Sequence, residues 1–448
     1  MNIIFPSRLL SLSVFVSLIS SILYSQEHGE VYRYARKIVD TLASPSMHGR
    51  GYVNDGEKIA ASYLEGEFKK SKLISFNDNF RQKFVLNVNT FPGKMELEYP
   101  TRDMYTGAGA VFLVDPACPS IKGTFKLIKA DSLTIKSESD LIAFRKNKFK
   151  NKFLYVDTTR IRNSEVKKRI ASLIVNPPKE ISGLIICEDW FRSPTQRTPG
   201  PWDVSQIQSK LPFISCHSFQ VDSTHMDKVE LDIQAKFIRA YQTQNLIGYI
   251  KGSVKPDSFL VFTAHYDHLG QMGKDTYFPG ANDNASGCAM LLNLAKYYSM
   301  PEHKPAYSIA FMAFGAEEAG LVGSKYYTEH PLFPLKQIKF LVNLDIMGTG
   351  DEGVTVVNGS IYPDAFKALK SINDKEHFLP LVKIRGKAAN SDHYWFSEKG
   401  VPSFFIYTMG GIKAYHDIDD KAETLPLTKF EDVFRLLTGF ADSLQMIH

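Results

Sequence analysis

The chain has 448 residues, of which 44% are hydrophobic and 23% are charged, and its formal net charge is +5. This composition is typical of globular proteins and excludes disorder, collagen and coiled coil as the dominant state. The positive excess is too small for this length to indicate a nucleic-acid partner. The four cysteines are Cys118, Cys187, Cys216 and Cys288. They do not indicate a scaffold built from disulfides and form no CxxC motif, and the sequence leaves open whether they pair.

Residues 1–25 have the pattern of a secretory signal peptide. Arg8 supplies the positive start, Leu9 to Tyr24 is an uncharged apolar run, and a polar stretch begins at Gln26. The run is shorter than the ~20 residues that span a bilayer comfortably. We therefore predict cleavage near Ser25 and export to the periplasm or the extracellular space, without stable membrane insertion. An uncleaved anchor is the alternative.

The rest of the chain divides into three parts by its residue pattern. Residues 26–84 carry helical spacing of apolar positions, and we predict that they form the N-terminal part of the main domain. Residues 85–240 contain short β-rich runs between basic and Pro-rich loops, which predicts a β-rich inserted domain. Residues 241–448 alternate strands with helices, and the strands are apolar on both faces. This indicates an α/β core with a mostly parallel, mixed central sheet and helices on both faces.

Acidic residues and histidines follow the predicted strands of the last part or open its first long helix: His265, Asp283, Glu317, Glu318, Asp345 and His416. The carboxyl ends of parallel strands meet at one edge of a sheet, so we expect these side chains to lie together. Each residue alone is ordinarily a cap, a turn or a solvated side chain. Their joint occurrence at successive strand ends is what indicates a site.

Five of these residues make a nitrogen and oxygen donor set that suits Zn(II), with Co(II) or Mn(II) as substitutes: His265, Asp283, Glu318, Asp345 and His416. One metal needs only three or four ligands, whereas five with a bridging carboxylate suit two metals about 3.5–4 Å apart. Glu317 is then the candidate base for a bridging hydroxide. Asp267, two residues after His265, is expected to accept the second ring N–H of that histidine.

The longer motifs around these residues resemble the co-catalytic di-zinc aminopeptidase family, the secreted bacterial leucyl aminopeptidase-like metallopeptidases. Glutamate carboxypeptidases and glutaminyl cyclases share their superfamily. The resemblance covers residues 241–448 strongly and residues 30–72 more weakly. The matching segments are AHYDHLG (264–270), GANDNASG (280–287), FGAEEAGLVGS (314–324), NLDIMG (343–348), SDH (391–393) and YH (415–416).

The resemblance implies a role for each matching residue. One zinc would take His265, Asp283 and Asp345, and the other would take Asp283, Glu318 and His416. Glu317 would act as general base and then as acid. Tyr415 would donate to the tetrahedral oxyanion, and Ser391 to His393 would support the site without a catalytic role. Residues 85–240 stand where many family members carry a protease-associated domain, so the insert is interpreted as protease-associated-like.

We therefore expect an exported metallo-exopeptidase, an aminopeptidase that hydrolyses N-terminal residues of peptides. A glutaminyl-peptide cyclase is one alternative, but those cyclases have Trp in place of Tyr415 and replace the pattern at residues 282–287. A carboxypeptidase or dipeptidase would keep the same metals and differ in the terminus that it recognises. A non-enzymatic, receptor-like binding protein would lose ligands, and this chain keeps all five.

Overall fold

A computed structural model of the chain describes residues 29–98, 112–159, 161–188, 203–217, 227–274 and 276–446. The predicted signal peptide lies outside these ranges. Within them, no helix combines the length and the apolar character needed to cross a bilayer.

The helices and strands of the described residues follow one another in this order. The helices are α1 (Glu30–Leu42), α2 (Gly56–Lys70), α3 (Glu138–Lys146), α4 (Ser164–Val175), α5 (Gly287–Ser299), α6 (Val322–Glu329), α7 (Pro363–Glu376), α8 (His393–Glu398) and α9 (Phe430–Gln445). The strands are β1 (Ile74–Ser75), β2 (Arg81–Thr90), β3 (Met95–Glu98), β4 (Phe112–Val114), β5 (Ile121–Ala130), β6 (Lys152–Asp157), β7 (Gly183–Glu188), β8 (Phe213–His217), β9 (Lys228–Ile233), β10 (Lys236–Ile250), β11 (Lys255–His265), β12 (Gln271–Met272), β13 (Thr276–Tyr277), β14 (Tyr307–Phe314), β15 (Ile338–Leu344), β16 (Gly353–Val357), β17 (Val382–Ile384) and β18 (Ser403–Met409).

The larger sheet has nine strands in the order β1-β10-β14-β11-β15-β18-β16-β17, with β2 paired to β10. Its four central strands, β14, β11, β15 and β18, are parallel to one another. Strands β10 and β16 join this group in antiparallel fashion at its two sides. The predicted α/β fold with a mixed, mostly parallel sheet is confirmed.

Both faces of the large sheet are buried, as the apolar runs predicted. In β14, Ile309 and Phe311 pack into a core with α1, α5 and α9, whereas Ala310 and Met312 pack into a core with α6 and α8. This alternation follows from the two-residue period of a strand. Because helices cover both faces, polar side chains can gather only at the ends of the central strands.

A second sheet of seven strands, in the order β3-β9-β5-β6-β7-β8-β4, is built from residues within the predicted insert. The structure differs from a purely β-rich expectation, because α3 and α4 pack on one face of this sheet. Side chains cap the N-terminus of each helix. Ser137 and Asp140 form a capping box at α3, and the Asn163 side chain accepts from two backbone N–H groups at α4.

Strands β2 and β10 form the two chain connections between the sheets. They pair in antiparallel register from Arg81 opposite Leu246 to Thr90 opposite Lys236. Beyond this ribbon, Leu269, Met272 and Phe278 of the α/β part share an apolar cluster with strands of the seven-stranded sheet. The ribbon and this cluster together fix the second sheet beside the carboxyl end of β11.

The four cysteines are all free and buried. Cys288 has a small side chain of the kind that packs well in an apolar core. Its thiol does lie in the core, where it donates to the backbone oxygen of His265 at 3.2 Å. The thiol therefore also helps to fix a residue of the candidate site.

Candidate metal centre

The five predicted ligands come together at the carboxyl edge of the central strands. His265 ends β11, Asp345 directly follows β15, and Glu318 lies in the loop after β14. The remaining two, Asp283 and His416, reach the same point from the loops before α5 and after β18. All five side chains are buried, with at most 8% of any residue exposed.

Asp283 lies between the two histidines. Its Oδ1 atom is 3.2 Å from Nε2 of His265, and its Oδ2 atom is 3.1 Å from Nε2 of His416. Asp345 Oδ1 lies 3.4 Å from the first imidazole, and Glu318 Oε2 lies 3.1 Å from the second. The donors thus fall into two groups that share one carboxylate.

These separations fit the coordination sphere of zinc. A tetrahedron with bonds of about 2.0–2.1 Å has edges of about 3.3 Å between its ligand atoms. The four donor separations of 3.1–3.4 Å scatter around that value. The residues present therefore fit metal ions in both chemistry and spacing.

The charge of the cluster favours a cation. Burial alone would lower the pKa of His416, but the carboxylates of Glu318 and Asp283 raise it to about 12 for the protein chain by itself. The same buried carboxylates attract a divalent ion, which replaces the imidazolium proton when the ring becomes a ligand. Metal binding is therefore expected to release protons.

Glu317 lies beside the cluster. It has a carboxylate oxygen within 4.8 Å of ligand atoms of His265 and Glu318. For the protein chain alone, burial raises the pKa of Glu317, and the neighbouring Glu318 and Asp392 carboxylates add to this rise. A carboxylate with a raised pKa is suited to accept and return a proton.

Asp267 supports the site in a different way from the one expected. Its backbone oxygen lies 3.2 Å from Nδ1 of His265, whereas its carboxylate oxygen is 3.9 Å away. The carboxylate instead accepts the backbone N–H groups of Glu317 and Glu318, at 3.0 and 3.2 Å. Asp267 therefore fixes the loop that carries the candidate base and a candidate ligand.

Tyr415 lies at the entrance to the cluster. Its ring stacks on His416 with a centroid separation of 4.1 Å and an angle of 17°, and 41% of the residue is exposed. Burial of the phenol and the carboxylate of Asp283 both raise the pKa of Tyr415. The hydroxyl therefore keeps its proton and can act as a hydrogen-bond donor.

A chain of hydrogen bonds that the sequence did not predict holds Asp345. Thr263 donates to Asn343 at 2.6 Å, Asn343 donates to Ser391 at 2.7 Å, and Ser391 donates to Oδ2 of Asp345 at 2.9 Å. Oδ1 of Asp345 is the oxygen that faces His265. This series of hydrogen bonds crosses two strands and orients the carboxylate of Asp345. It gives the supporting role proposed for Ser391 a physical basis.

The segment after His416 contacts the loop of the shared carboxylate. The two carboxylate oxygens of Asp420 accept the backbone N–H groups of Asn282 and Asp283, at 2.8 and 2.9 Å. The side chain of Asn284 donates to the backbone oxygen of Leu344. Asp420 therefore supports the backbone that carries Asp283.

Arg50 is fully buried beneath the same loop and was not predicted from the sequence. All five of its N–H groups donate to backbone oxygens at 2.8–3.1 Å, those of Leu42, Tyr266, Pro279, Gly280 and Asp283. One side chain thereby joins the end of α1, the exit of β11 and the loop of Asp283. A planar, always protonated group with five donors is suited to this task.

Strained backbone occurs at three positions on the same edge of the sheet. Ala316, Ile346 and His416 have positive φ angles of 59°, 60° and 51°, a region that residues other than glycine rarely occupy. The first precedes Glu317, the second follows Asp345, and the third is itself a candidate ligand. Such strain persists where surrounding contacts enforce it, and it is typical of functional sites.

His268 orients Glu318. Its Nδ1 atom lies 2.7 Å from Oε1 of Glu318, which leaves Oε2 to face His416. Burial lowers the pKa of His268, and its Nε2 atom has no hydrogen-bond partner within the described ranges. The neutral ring with its proton on Nδ1 satisfies both observations.

We expect His268→Leu to weaken zinc binding by about 10–100-fold, because Glu318 loses the donor that orients it. Competition with a chromogenic chelator measures the affinity. His268→Asn places an amide N–H near the position of Nδ1 and should retain most of it. Equal affinities of the Leu variant and the wild type would show that the contact has no such role.

The solved structures that superpose on this chain include a zinc aminopeptidase and a Peptidase M28 precursor. The structure of BSAP, a zinc aminopeptidase from Bacillus subtilis, superposes with a TM-score of 0.64 at 22% identity and covers 91% of this chain and 93% of that one. A Peptidase M28 precursor from Shewanella amazonensis gives a TM-score of 0.66 at 16% identity, with 92% of each chain covered. At these identities the likeness establishes the fold.

Among curated proteins, Aminopeptidase YwaD of Bacillus subtilis is 32% identical over 224 residues, which are 47% of this chain and 46% of that protein. The chain thus matches about half the length of this relative. The fold and the donor set of the candidate site are similar to those of the metallopeptidase class. Residues 245–441 match the model of Peptidase family M28. The resemblance to zinc aminopeptidases is confirmed.

Proposed function

We propose that the protein is an exported di-zinc aminopeptidase that removes N-terminal residues from peptides. The observation that carries this proposal is the position of Asp283, whose two oxygens face the imidazoles of different histidines at 3.2 and 3.1 Å. A shared carboxylate with complete ligand sets on both sides is typical of two-metal hydrolytic sites. Export rests on the signal-peptide pattern of residues 1–25.

The side chains of this site have complementary roles in amide hydrolysis. His265 and Asp345 would hold one ion, Glu318 and His416 the other, and Asp283 both. When bound, the ions supply Lewis-acid polarisation of the scissile carbonyl and lower the pKa of water.

Glu317 carries out the proton transfers, and Tyr415 stabilises the oxyanion. Glu317 takes the proton of the attacking water and delivers it to the leaving amine nitrogen, so one carboxyl group serves both steps. The Tyr415 hydroxyl, protonated and at the entrance, donates to the oxygen that becomes negatively charged. The buried surroundings strengthen both interactions.

Peptide products read by mass spectrometry test this proposal. The zinc-loaded protein is incubated with free, N-acetylated, C-amidated and N-terminal-Gln versions of one sequence. We expect loss of the first residue, blocked by acetylation alone and abolished by chelation until zinc is restored. Loss of the last residue, blocked by amidation, would identify a carboxypeptidase. Loss of ammonia from the Gln peptide alone would identify a cyclase.

A further inference from the structure

A loop of the seven-stranded sheet reaches the candidate metal centre. Asp203, which lies on the chain before β8, has a carboxylate oxygen within 4.8 Å of ligand atoms of Glu318 and His416. The predicted ligands all come from the nine-stranded sheet and its loops. Asp203 is therefore the acidic residue that the second sheet contributes to the site within the described parts of the chain.

The loop is held in place by contacts to both sheets. Gln206 donates to the backbone oxygen of Ala319, one residue after Glu318, at 2.7 Å. The backbone oxygen of Ser205 accepts from the N–H of Asn89 at 2.9 Å. Val204 packs against the apolar cluster that includes Ala319 and against the core of the seven-stranded sheet. Asp203 is therefore presented to the site by a fixed backbone.

The Asp203 carboxylate is available for a ligand. Its hydrogen bond within the described residues is from the adjacent backbone N–H of Val204, at 2.9 Å. No lysine or arginine in those ranges lies within ion-pair distance of it, and the residue is exposed. The five predicted ligands, by contrast, are buried and face one another.

We propose that Asp203 binds the α-ammonium group of the substrate and so makes the site selective for free N-termini. This inference rests on the proposed aminopeptidase function. Asp283, Glu318 and His416 already supply three ligands, and a catalytic zinc keeps its next position for water or substrate. The carboxylate of Asp203 as a fourth protein ligand on that ion would fill the position that the reaction needs.

The geometry of a substrate matches this assignment. The α-nitrogen is bonded to the carbon next to the scissile carbonyl, so its partner must lie within a few ångströms of the ions that polarise that carbonyl. Asp203 lies at this distance on the Glu318 side. An internal peptide position presents a neutral amide there, which gains much less from a carboxylate than an ammonium does.

A pair of inhibitors that differ only in the ammonium group tests the inference. Leucine hydroxamate and 4-methylpentanehydroxamate both bind metal, but the second lacks the α-amine. Isothermal titration of the zinc-loaded protein should show that Asp203→Asn weakens leucine hydroxamate by about 10–100-fold and leaves the other unchanged. Asp227→Asn, at an exposed aspartate beside β9, is the matched control, and zinc content should stay at the wild-type level.

Three outcomes would overturn the inference. Equal weakening of both inhibitors would indicate a structural role for Asp203. Loss of zinc from the Asp203→Asn variant would identify Asp203 as a metal ligand. Unchanged affinity of that variant for leucine hydroxamate would show that Asp203 does not bind the ammonium group. The peptide assay on the wild type separates these outcomes from failure of the proposed function, because it identifies the reaction products of the unchanged protein without any variant of Asp203.

Discussion

Glu317→Gln is expected to lower kcat by about 10²–10⁴-fold while zinc remains bound. The amide keeps the size of the side chain but cannot take a proton from water at neutral pH. Zinc should remain because the four close separations within the two donor groups join the other five side chains and do not involve Glu317. Steady-state kinetics and metal analysis on the same preparation measure both quantities.

Glu329→Gln, at an exposed glutamate at the end of α6, is the matched control for this experiment and should leave kcat unchanged. Normal turnover by the Glu317 variant would refute the role of general base. Loss of zinc from that variant would instead make Glu317 a ligand, and the proposed division of roles with Glu318 would be wrong.

Arg50→Met is expected to destabilise the protein by about 4 kcal/mol or more and to weaken zinc binding. Methionine fills much of the space but leaves five buried backbone oxygens without their donors. One of these oxygens belongs to Asp283, so the loop that positions the shared carboxylate loses its support. Urea unfolding of the metal-free protein and chelator competition measure the two effects.

Arg50→Lys provides the comparison that keeps the charge. An ammonium has three donors on one nitrogen and cannot reach five oxygens spread around a planar guanidinium. The Lys variant should therefore be intermediate in stability. If its free energy of unfolding equalled that of the wild type, charge alone would explain the role of Arg50, and the hydrogen bonds would not.

The ligand-bearing edge of the large sheet was predictable because its signals are local. His265 and Asp345 stand at the ends of strands that are apolar on both faces, and the parallel arrangement brings such ends together. The sequence distance between these residues does not matter once the strands are recognised. The same reasoning predicted Glu317 and Glu318, which follow β14, the neighbour of β11 in the sheet.

The supports of the site were less predictable because they depend on approaches between distant segments. Arg50 lies in the N-terminal part of the chain, and nothing in its neighbours indicates that it contacts the loop of Asp283. Asp203 comes from the other sheet. Asp267 was correctly placed near His265, but the direction of its carboxylate depends on the strained turn at Ala316, where φ is 59°. Side-chain direction in such loops is decided by packing rather than by pattern.

The ribbon of β2 and β10 has a consequence for protein engineering. Thr90 and Lys236 are cross-strand neighbours, so a two-residue turn could join them and excise residues 91–235 without shifting the register of either strand. In the truncated chain, solvent would reach Leu269, Met272 and Phe278, which pack against the seven-stranded sheet in the full chain. Polar replacements at these three positions would be needed to keep the shortened enzyme from aggregating.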